Sequence, residues 1–351
     1  MKHANIPIFI PHLGCPNNCV FCNQKSISGR VLFDEKTVIP DIENALKTIA
    51  EGNRGIPEIA FFGGSFTGID RTLMVSLLED AYPYVKSGKA SGIRLSTRPD
   101  YISTEILDIL GKYGVKTIEL GLQSMSDRVL EATKRGHTSA DAEKACKLIK
   151  DYGFDLVGQM MIGLPASDSD DEIETAKKIC ELGADAARVY PTVVFYDTEL
   201  CSMAEKGEYK PLSNEEAVVR TKNVLAVFDK YKVPCIRVGL CASENLSSDE
   251  TVYGGANHSA IGELAMGELF LDKLCAAFEA LPDLPKDKKV IIYVPMGAVS
   301  KVIGQKRRNI AAIKDKYFVK KSVKSVKVLE KKDIFGYNIK IVIPGETSAE
   351  E

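Results

Sequence analysis

Residues 6–24 read IPIFIPHLGCPNNCVFCNQ, an apolar β-forming segment followed at once by three closely spaced cysteines. The apolar part, Ile6–Ile10, has the length and the β-branched composition of a buried strand. The cysteines at positions 15, 19 and 22 then lie on the loop that leaves the carboxyl end of this strand. Nine cysteines in 351 residues, three of them within eight positions, favour a metal centre over a disulfide framework.

Short β-forming runs alternate with longer helical patterns over the first 240 residues. Further strands are predicted at Glu58–Phe62, Gly92–Ser96, Lys116–Leu120, Asp155–Ile162, Ala186–Tyr190 and Cys235–Val238. Helices are predicted at Val38–Ala50, Leu73–Val85, Thr104–Tyr113, Asp141–Tyr152 and Asp171–Leu182, with a longer one from the capping box at Ser213 to about Tyr231. This alternation predicts an α/β fold, a full or partial (β/α) barrel whose functional loops collect at the carboxyl ends of the strands.

The last quarter of the chain has a different organisation. The segment LPDLPK (residues 281–286) contains two prolines and predicts a linker between a large domain (1–280) and a small one (287–343). The small α+β module is predicted from strands at Val290–Val294, Val323–Leu329 and Tyr337–Ile343 and a helix at Asn309–Lys316. Residues 344–351 have the composition of a disordered tail.

Charge is distributed unevenly along the chain. The net charge is −2, but residues 286–332 carry 15 basic and 3 acidic residues, a net of +12, whereas residues 1–285 have a net of −11. Such a basic module is a candidate nucleic-acid surface, and the alternative is a solvated lysine-rich face. The sequence has no apolar run long enough to span a membrane and no secretory signal, so we expect a cytoplasmic protein with no membrane partner.

The three cysteines can be interpreted in two ways. Thiolates are the usual ligands of iron–sulfur clusters, and three of them on one loop leave the fourth iron of a cubane open to a substrate. A structural zinc ion requires four protein ligands, which His12 or His3 could complete. We favour the cluster, because the C-x3-C-x2-C spacing is asymmetric and no second cysteine pair lies nearby.

This spacing, with the aromatic Phe21 before the last cysteine, resembles the radical S-adenosylmethionine superfamily. The resemblance implies a single [4Fe–4S] cluster held by Cys15, Cys19 and Cys22, with S-adenosylmethionine on the open iron. A one-electron donor such as flavodoxin or ferredoxin would then drive cleavage to a 5′-deoxyadenosyl radical that takes a hydrogen atom from the substrate.

Four further motifs end predicted strands in the order expected of that superfamily: FFGGSFTG (61–68), LSTRPDYI (95–102), IELGLQS (118–124) and VGQMMIGLP (157–165). The glycine pair allows backbone carbonyls to approach an ammonium group, and Arg98 with Asp100 suits a carboxylate or a ribose. The resemblance therefore predicts that the cofactor-binding residues are Phe21, Gly63, Gly64, Ser65, Arg98, Glu119, Gln123, Met161 and Gly163. Ordinary turns and core strands are the alternative for these motifs.

Two more motifs, KRGHT (134–138) and RVYPTVVFYDTEL (188–200), make residues 5–265 similar to the radical domain of the Elongator catalytic subunit. That family modifies wobble uridines of transfer RNA, so the resemblance implies an RNA-modifying transferase. Arg188 and Tyr190 would face its site. The chain has no room for the acetyltransferase domain that follows in Elongator, so we do not carry over acetyl-coenzyme A as co-substrate.

The segment KVIGQKRRNIAAI (301–313) resembles the core of a KH domain, in which a Gly-x-x-Gly loop clamps the nucleotide backbone. Gly304 matches the first glycine, and Arg307 replaces the second. The predicted RNA-binding residues are Lys301, Gly304, Lys306, Arg307 and Arg308.

Three functions remain open at this point. The sequence favours a radical enzyme that modifies transfer RNA or another RNA. The alternatives are a radical enzyme acting on a small, porphyrin-like molecule, and a non-catalytic RNA-binding protein with a structural metal.

Overall fold

The computed structural model describes residues 4–10, 13–15, 19–23, 33–52, 55–240, 250–282, 284–285 and 288–344. The chain divides into two compact units, one formed by residues 1–213 and 235–259 and the other by residues 214–234 and 260–351. Within the described ranges, no helix combines the length and the apolar character needed to cross a membrane.

The first unit contains seven parallel strands in one sheet of order β1-β2-β3-β4-β5-β6-β8. Their bounds are β1 Asn5–Ile10, β2 Glu58–Gly63, β3 Gly92–Thr97, β4 Val115–Gln123, β5 Asp155–Ile162, β6 Ala186–Pro191 and β8 Cys235–Val238. A separate antiparallel pair joins β7 (Val193–Phe195) to β9 (Val252–Gly255). Because β1 and β8 are edges of the sheet, the strands form a partial barrel, which confirms the predicted α/β fold.

Helices follow the strands, with bounds α1 Val38–Glu51, α2 Arg71–Lys86, α3 Thr104–Lys112, α4 Asp127–Ala132, α5 Ser139–Asp151, α6 Ser169–Glu181 and α7 Glu199–Glu205. Helices α5 and α6 begin two residues before their predicted starts. The side chains of Thr138 and Asp168 cap them by accepting hydrogen bonds from the Asp141 and Asp171 N–H groups, at 3.2 and 2.9 Å. Each capping box thus precedes the helical pattern that the sequence reveals.

A charged network lies among the strands of this sheet. Arg94 on β3 donates from Nε and Nη2 to Glu58 Oε2 on β2, at 3.0 and 2.8 Å. Its Nη1 donates to Glu119 Oε1 on β4, at 2.8 Å. All three side chains are buried.

Glu119 is the centre of this network, and its side chain is 0% exposed. It also accepts from Arg188 Nη2 on β6 and from Gln159 Nε2 on β5, each at 2.8 Å. One carboxylate therefore connects four neighbouring strands. A buried charge is tolerated when its hydrogen bonds are satisfied in this way, and the network fixes how the strands are aligned.

The second unit combines α8 (Asn214–Tyr231) and α9 (Ile261–Glu279) with a three-stranded sheet of order β11-β10-β12. Its other elements are β10 Lys288–Val294, α10 Val299–Ile303, α11 Arg308–Ile313, β11 Val323–Glu330 and β12 Lys340–Val342. Strand β10 is parallel to β11 and antiparallel to β12. A π-helical turn over Lys314–Phe318 follows α11, where the sequence predicts continuous helix to residue 316.

The division between the units differs from the predicted boundary at residue 280. Phe270, Leu274 and Phe278 of α9 belong to one buried cluster with Val290 and Ile292 of β10. The apolar face of α9 therefore completes the core of the C-terminal sheet. A helix pattern read from sequence shows that such a face exists, but it does not show which sheet the face covers.

We expect Arg94→Met to lower the free energy of unfolding by about 3–5 kcal/mol, because it leaves two buried carboxylates without their shared guanidinium. The matched control is Arg71→Met, which breaks the exposed pair with Glu105 (side chains 45% and 75% exposed) and should cost below about 1 kcal/mol. Urea denaturation of both variants measures the difference. Equal, small losses would contradict the role assigned to the network.

Candidate active site

The three cysteines line one cavity of about 270 Å³ at the carboxyl ends of the first strands. Cys19 is buried, Cys15 is half-buried and Cys22 is exposed. The described residues around the cavity come from the ends of β1 to β5 and from the loop after α4: Cys15, Cys19, Phe21, Cys22, Gly63, Gly64, Ser96, Thr97, Arg98, Gly121, Gln123, Arg135 and Gln159. The topology thus brings together motifs that are separated by more than 100 residues in sequence.

The loop after β2 packs backbone to backbone against the start of the cysteine loop. The Gly64 N–H donates to Ile10 O at 2.9 Å, and the Ser65 N–H donates to Leu13 O at 3.0 Å. A Cβ on Gly64 would lie 1.9 Å from Leu13 O, and Gly63 has a φ of +120°. Both positions therefore require glycine, because any side chain would separate the two loops.

Backbone hydrogen bonds also anchor the middle of the cysteine loop. The Val20 N–H donates to Thr133 O at 3.2 Å, and Val20 O accepts from the Leu200 N–H at 2.8 Å. The Val20 side chain is buried against Val194 and Leu200. The Cys22 N–H donates to Cys19 O at 3.0 Å, which forms a tight turn between two of the cysteines.

Two guanidinium groups face the cysteines. Arg135 donates from Nη1 to Cys19 Sγ at 3.4 Å and from Nη2 to Gly121 O at 2.7 Å. Burial raises the pKa of the Cys15 thiol, while the positive charges of Arg135 and Arg98 act in the opposite direction. The two guanidinium groups therefore favour the thiolate, the form in which cysteine binds metals, although burial has the larger effect on the pKa of Cys15.

Arg98 has the environment expected of an anion-binding residue. It is 2% exposed, and it donates from Nε and Nη2 to the two carboxylate oxygens of Asp100, each at 2.9 Å. Its Nη2 also donates to Arg135 O at 2.6 Å. The remaining nitrogen, Nη1, is buried and has no hydrogen-bond partner among the described residues. A carboxylate in the cavity would satisfy it.

Gln123 ends β4 in a strained conformation. Its φ is +67°, and the pairing of β4 with β5 shifts register between Gly121 and Gln123. Its buried Oε1 has no hydrogen-bond partner within the described part of the chain. Left-handed backbone at a non-glycine residue is typical of functional sites, and the amide lines the cavity.

Several residues predicted to bind cofactor lie outside this lining: Ser65, Glu119, Met161, Gly163, Arg188 and Tyr190. Glu119 and Arg188 belong to the charged network of the sheet, and Arg188 Nη1 lies 3.3 Å from Tyr190 Oη. The Gly163 N–H donates to Glu172 Oε1 at 2.7 Å, and its carbonyl accepts from Tyr209 Oη at 2.6 Å. These contacts of Glu119, Gly163, Arg188 and Tyr190 are with other parts of the protein, whereas the Ser65 side chain hydrogen-bonds the Cys15 thiol. The cofactor role of all six residues stays a prediction.

Sequence reasoning missed five lining residues: Ser96, Thr97, Gly121, Arg135 and Gln159. The KRGHT motif contained the signal for Arg135, since it matched the Elongator family without a role for its arginine. Period-2 alternation from Arg94 along β3 could have indicated that Ser96 faces the barrel interior.

Among the residues described, no three His, Cys, Asp or Glu side chains are grouped closely enough to bind one metal ion. A zinc site is therefore not preformed there. The two histidines that the zinc interpretation invokes, His3 and His12, lie outside the described residues. The three cysteines line one cavity, an arrangement that suits a polynuclear cluster whose irons each take one cysteine ligand.

The predicted RNA-binding residues lie in the second unit. Gly304, Lys306 and Arg307 have φ values of +76°, +49° and +62°, so the loop between α10 and α11 turns through left-handed conformations. Lys306 and Arg307 are exposed, and neither has an acidic partner among the described residues. Arg308 forms an ion pair with Glu268 on α9.

The base of this loop is fixed by Asn309, which is fully buried. Its Nδ2 donates to Gly267 O on α9 at 2.8 Å and also contacts Lys301 O at 3.4 Å. A Cβ on Gly304 would lie 2.7 Å from Asn309 Oδ1, so the first glycine of the loop is required by space as well as by conformation. The exposed cations are thus presented from a rigid base.

His137 lies beside the two arginines, and its side chain is 0% exposed. Burial, reinforced by the charges of Arg135 and Arg98, lowers its pKa to about 4. Histidine in an unfolded chain has a pKa near 6.5, so the folded state binds fewer protons between these values. The contribution of His137 to the free energy of unfolding is then full above about pH 6.5, and it is lost as the pH decreases toward 4.

We expect this single group to contribute a loss of about 3 kcal/mol between pH 6.5 and 4. Urea unfolding of the cluster-free protein from pH 8 to pH 4 measures it, with His137→Gln as the comparison. The variant should lack that part of the pH dependence, whatever its stability at pH 8. An unchanged pH dependence would refute the assignment to His137.

The sequence profile described as the Radical SAM superfamily matches residues 9–179, and that of the Radical_SAM C-terminal domain matches residues 184–269. The archaeal Methanocaldococcus infernus Elp3 with an N-terminal deletion has a similar fold, with a TM-score of 0.61 and 20% identity, over 83% of this chain and 71% of that one.

Curated relatives agree with the motifs. The tRNA uridine(34) acetyltransferase of Methanocaldococcus jannaschii is 35% identical over 172 residues, which are 48% of this chain and 31% of that protein. Human Elongator complex protein 3 is 32% identical over 232 residues, 60% of this chain and 41% of that protein. The chain thus spans less than half of these relatives. With two profiles matched in order, it belongs to the radical S-adenosylmethionine superfamily, whose cofactors are a [4Fe–4S] cluster and S-adenosylmethionine.

Proposed function

We propose that the protein holds a [4Fe–4S] cluster through Cys15, Cys19 and Cys22, cleaves S-adenosylmethionine reductively, and uses the radical to modify a base of transfer RNA or another RNA. The observation that carries the first part is the shared cavity. Three cysteines lie in it together with Arg98, a buried guanidinium whose Nη1 has no protein partner in the described chain. When bound, the cluster supplies the electron that breaks the sulfonium bond of S-adenosylmethionine.

The residues of the chain then have separate tasks. Arg98 binds the methionine carboxylate through Nη1, while its pairing with Asp100 keeps the guanidinium plane fixed. The carbonyls of the Gly63–Gly64 turn suit the methionine ammonium group, because the absence of side chains lets a ligand approach. The Gln123 Oε1, which has no hydrogen-bond partner among the described residues, can accept from a hydroxyl group of a ribose. The Gln159 amide lines the same cavity, and its Nε2 already donates to Glu119.

Part of the cavity is shielded from solvent. Cys19 and Arg98 are buried, and Phe21, which also lines the cavity, packs against the cluster of Val20, Val194 and Leu200. A primary carbon radical reacts with any nearby C–H bond, so shielding of the site from water helps to confine it to the substrate. We assign this confinement to the cysteine loop and to the glycine turn packed against it.

RNA as the substrate is supported by the second unit. The segment 286–332 has a net charge of +12, and the loop at 304–308 exposes Lys306 and Arg307 without acidic partners among the described residues. Arg307 occupies a left-handed conformation, which costs an arginine roughly 1–2 kcal/mol relative to glycine. A phosphate contact would offset that cost. The tRNA uridine(34) acetyltransferase of Methanocaldococcus jannaschii, to which this chain is similar, agrees with this substrate class.

The first test is anaerobic reconstitution with iron and sulfide, followed by S-adenosylmethionine and dithionite. We expect 5′-deoxyadenosine from the wild type, stimulation by transfer RNA, and loss of product in Cys19→Ala, because the cluster loses one ligand. Cys146→Ala is the matched control, since Cys146 is buried in α5, away from the cavity. A wild type that assembles the cluster and makes no 5′-deoxyadenosine would refute the proposal.

The second test separates RNA binding from folding. Arg307→Gly should keep or raise the melting temperature, because glycine adopts the left-handed conformation freely. It should also weaken transfer RNA binding and reduce the slope of log affinity against log salt by roughly 0.7–0.9, the effect of one phosphate contact.

The control for this test is Lys332→Gln, which removes one exposed charge from the same basic segment outside the loop. Binding that falls equally in both variants would indicate a diffuse charge effect. Binding that falls in neither would leave a small-molecule substrate as the better interpretation.

A further inference from the structure

We propose that Arg135 is a positioning residue that raises the reduction potential of the cluster by hydrogen bonding to the Cys19 sulfur. The inference rests on the proposed function, because it requires Cys19 to be a cluster ligand. Arg135 would thereby influence the transfer of an electron to the cluster, the step that precedes cleavage of the sulfonium bond.

The geometry holds the guanidinium firmly in place. Arg135 is 7% exposed, its Nη1 donates to Cys19 Sγ at 3.4 Å, and its Nη2 donates to Gly121 O at 2.7 Å. Its own backbone is fixed as well, since the N–H donates to Leu130 O at 2.9 Å and the carbonyl accepts from Arg98 Nη2. The donor therefore has little freedom to turn away from the sulfur.

Strand β4 leaves space for the Arg135 guanidinium, because a glycine stands at position 121. A Cβ on Gly121 would lie 2.9 Å from Arg135 Nη2, so a glycine at this point of β4 allows the guanidinium to reach between the strand and the cysteine loop. Lys134, the preceding residue, lies on the surface and not in the cavity. It is 60% exposed and pairs with Glu199 at 2.5 Å on the surface.

The expected effect follows from charge. A one-electron donor such as ferredoxin, or dithionite in vitro, adds one electron to the oxidised cluster, and no proton accompanies it. The reduced cluster is more negative by one charge, so a buried cation beside a ligand sulfur stabilises it more than the oxidised form. Hydrogen bonds to the sulfurs and net charge are known determinants of such potentials.

The test is a redox titration of the reconstituted chain of 351 residues without S-adenosylmethionine, followed by electron paramagnetic resonance of the reduced cluster. In Arg135→Gln, which keeps a donor group but loses the charge, the ratio of reduced to oxidised cluster at a fixed potential should fall roughly tenfold, equivalent to about 59 mV for one electron. Lys134→Gln removes the neighbouring charge and should leave the potential unchanged.

Arg135→Lys is the second variant, because it retains the charge and should give a potential between those of the wild type and Arg135→Gln. A glutamine variant with wild-type iron content and an unchanged potential would overturn the proposal. So would a failure of both variants to assemble the cluster, since Arg135 would then be required for the loop itself. A wild type that assembles no cluster would instead refute the proposed function.

Discussion

The hydrogen bonds of Glu119 determine how the central strands of the first unit are aligned. A carboxylate that is fully buried must have every lone pair engaged, and here two guanidiniums and one amide from three other strands converge on it. The strands cannot slide by two residues without breaking these bonds. The network therefore aligns the carboxyl ends of β3 to β6, where the cavity residues project. The charged members of this network, Arg94, Glu119 and Arg188, lie outside the cavity lining, and Gln159 belongs to both the network and the lining.

The sequence predicted the fold of the first unit well because its signals are local. Apolar strands, capped helices and glycine turns can each be recognised from a few consecutive residues, and the cysteine spacing is specific. The roles of Glu119 and Arg188 in the sheet network could not be predicted in this way, because their partners lie far away in sequence. The packing of α9 against the C-terminal sheet was missed for the same reason. Alternation showed that Glu119 points inward, but it could not distinguish a ligand from another side chain as its partner.

The contact between Arg135 and Cys19 spans 116 residues and could be seen only in three dimensions. The same holds for Arg98 Nη1, which has no hydrogen-bond partner in the described part of the chain, while Nε and Nη2 donate to Asp100. Together these residues give the cavity two fixed cations from different parts of the chain, one on the loop after β3 and one on the loop after α4.

The left-handed Arg307 has a consequence for how the basic loop can evolve. Glycine and arginine codons are separated by one base change, so the exchange between a glycine clamp and a cationic one needs a single mutation. Glycine is conformationally the easier residue at this point of the backbone. The backbone at this position accepts either residue, so the charge that the loop presents can change by a single mutation without any change to the fold that carries it.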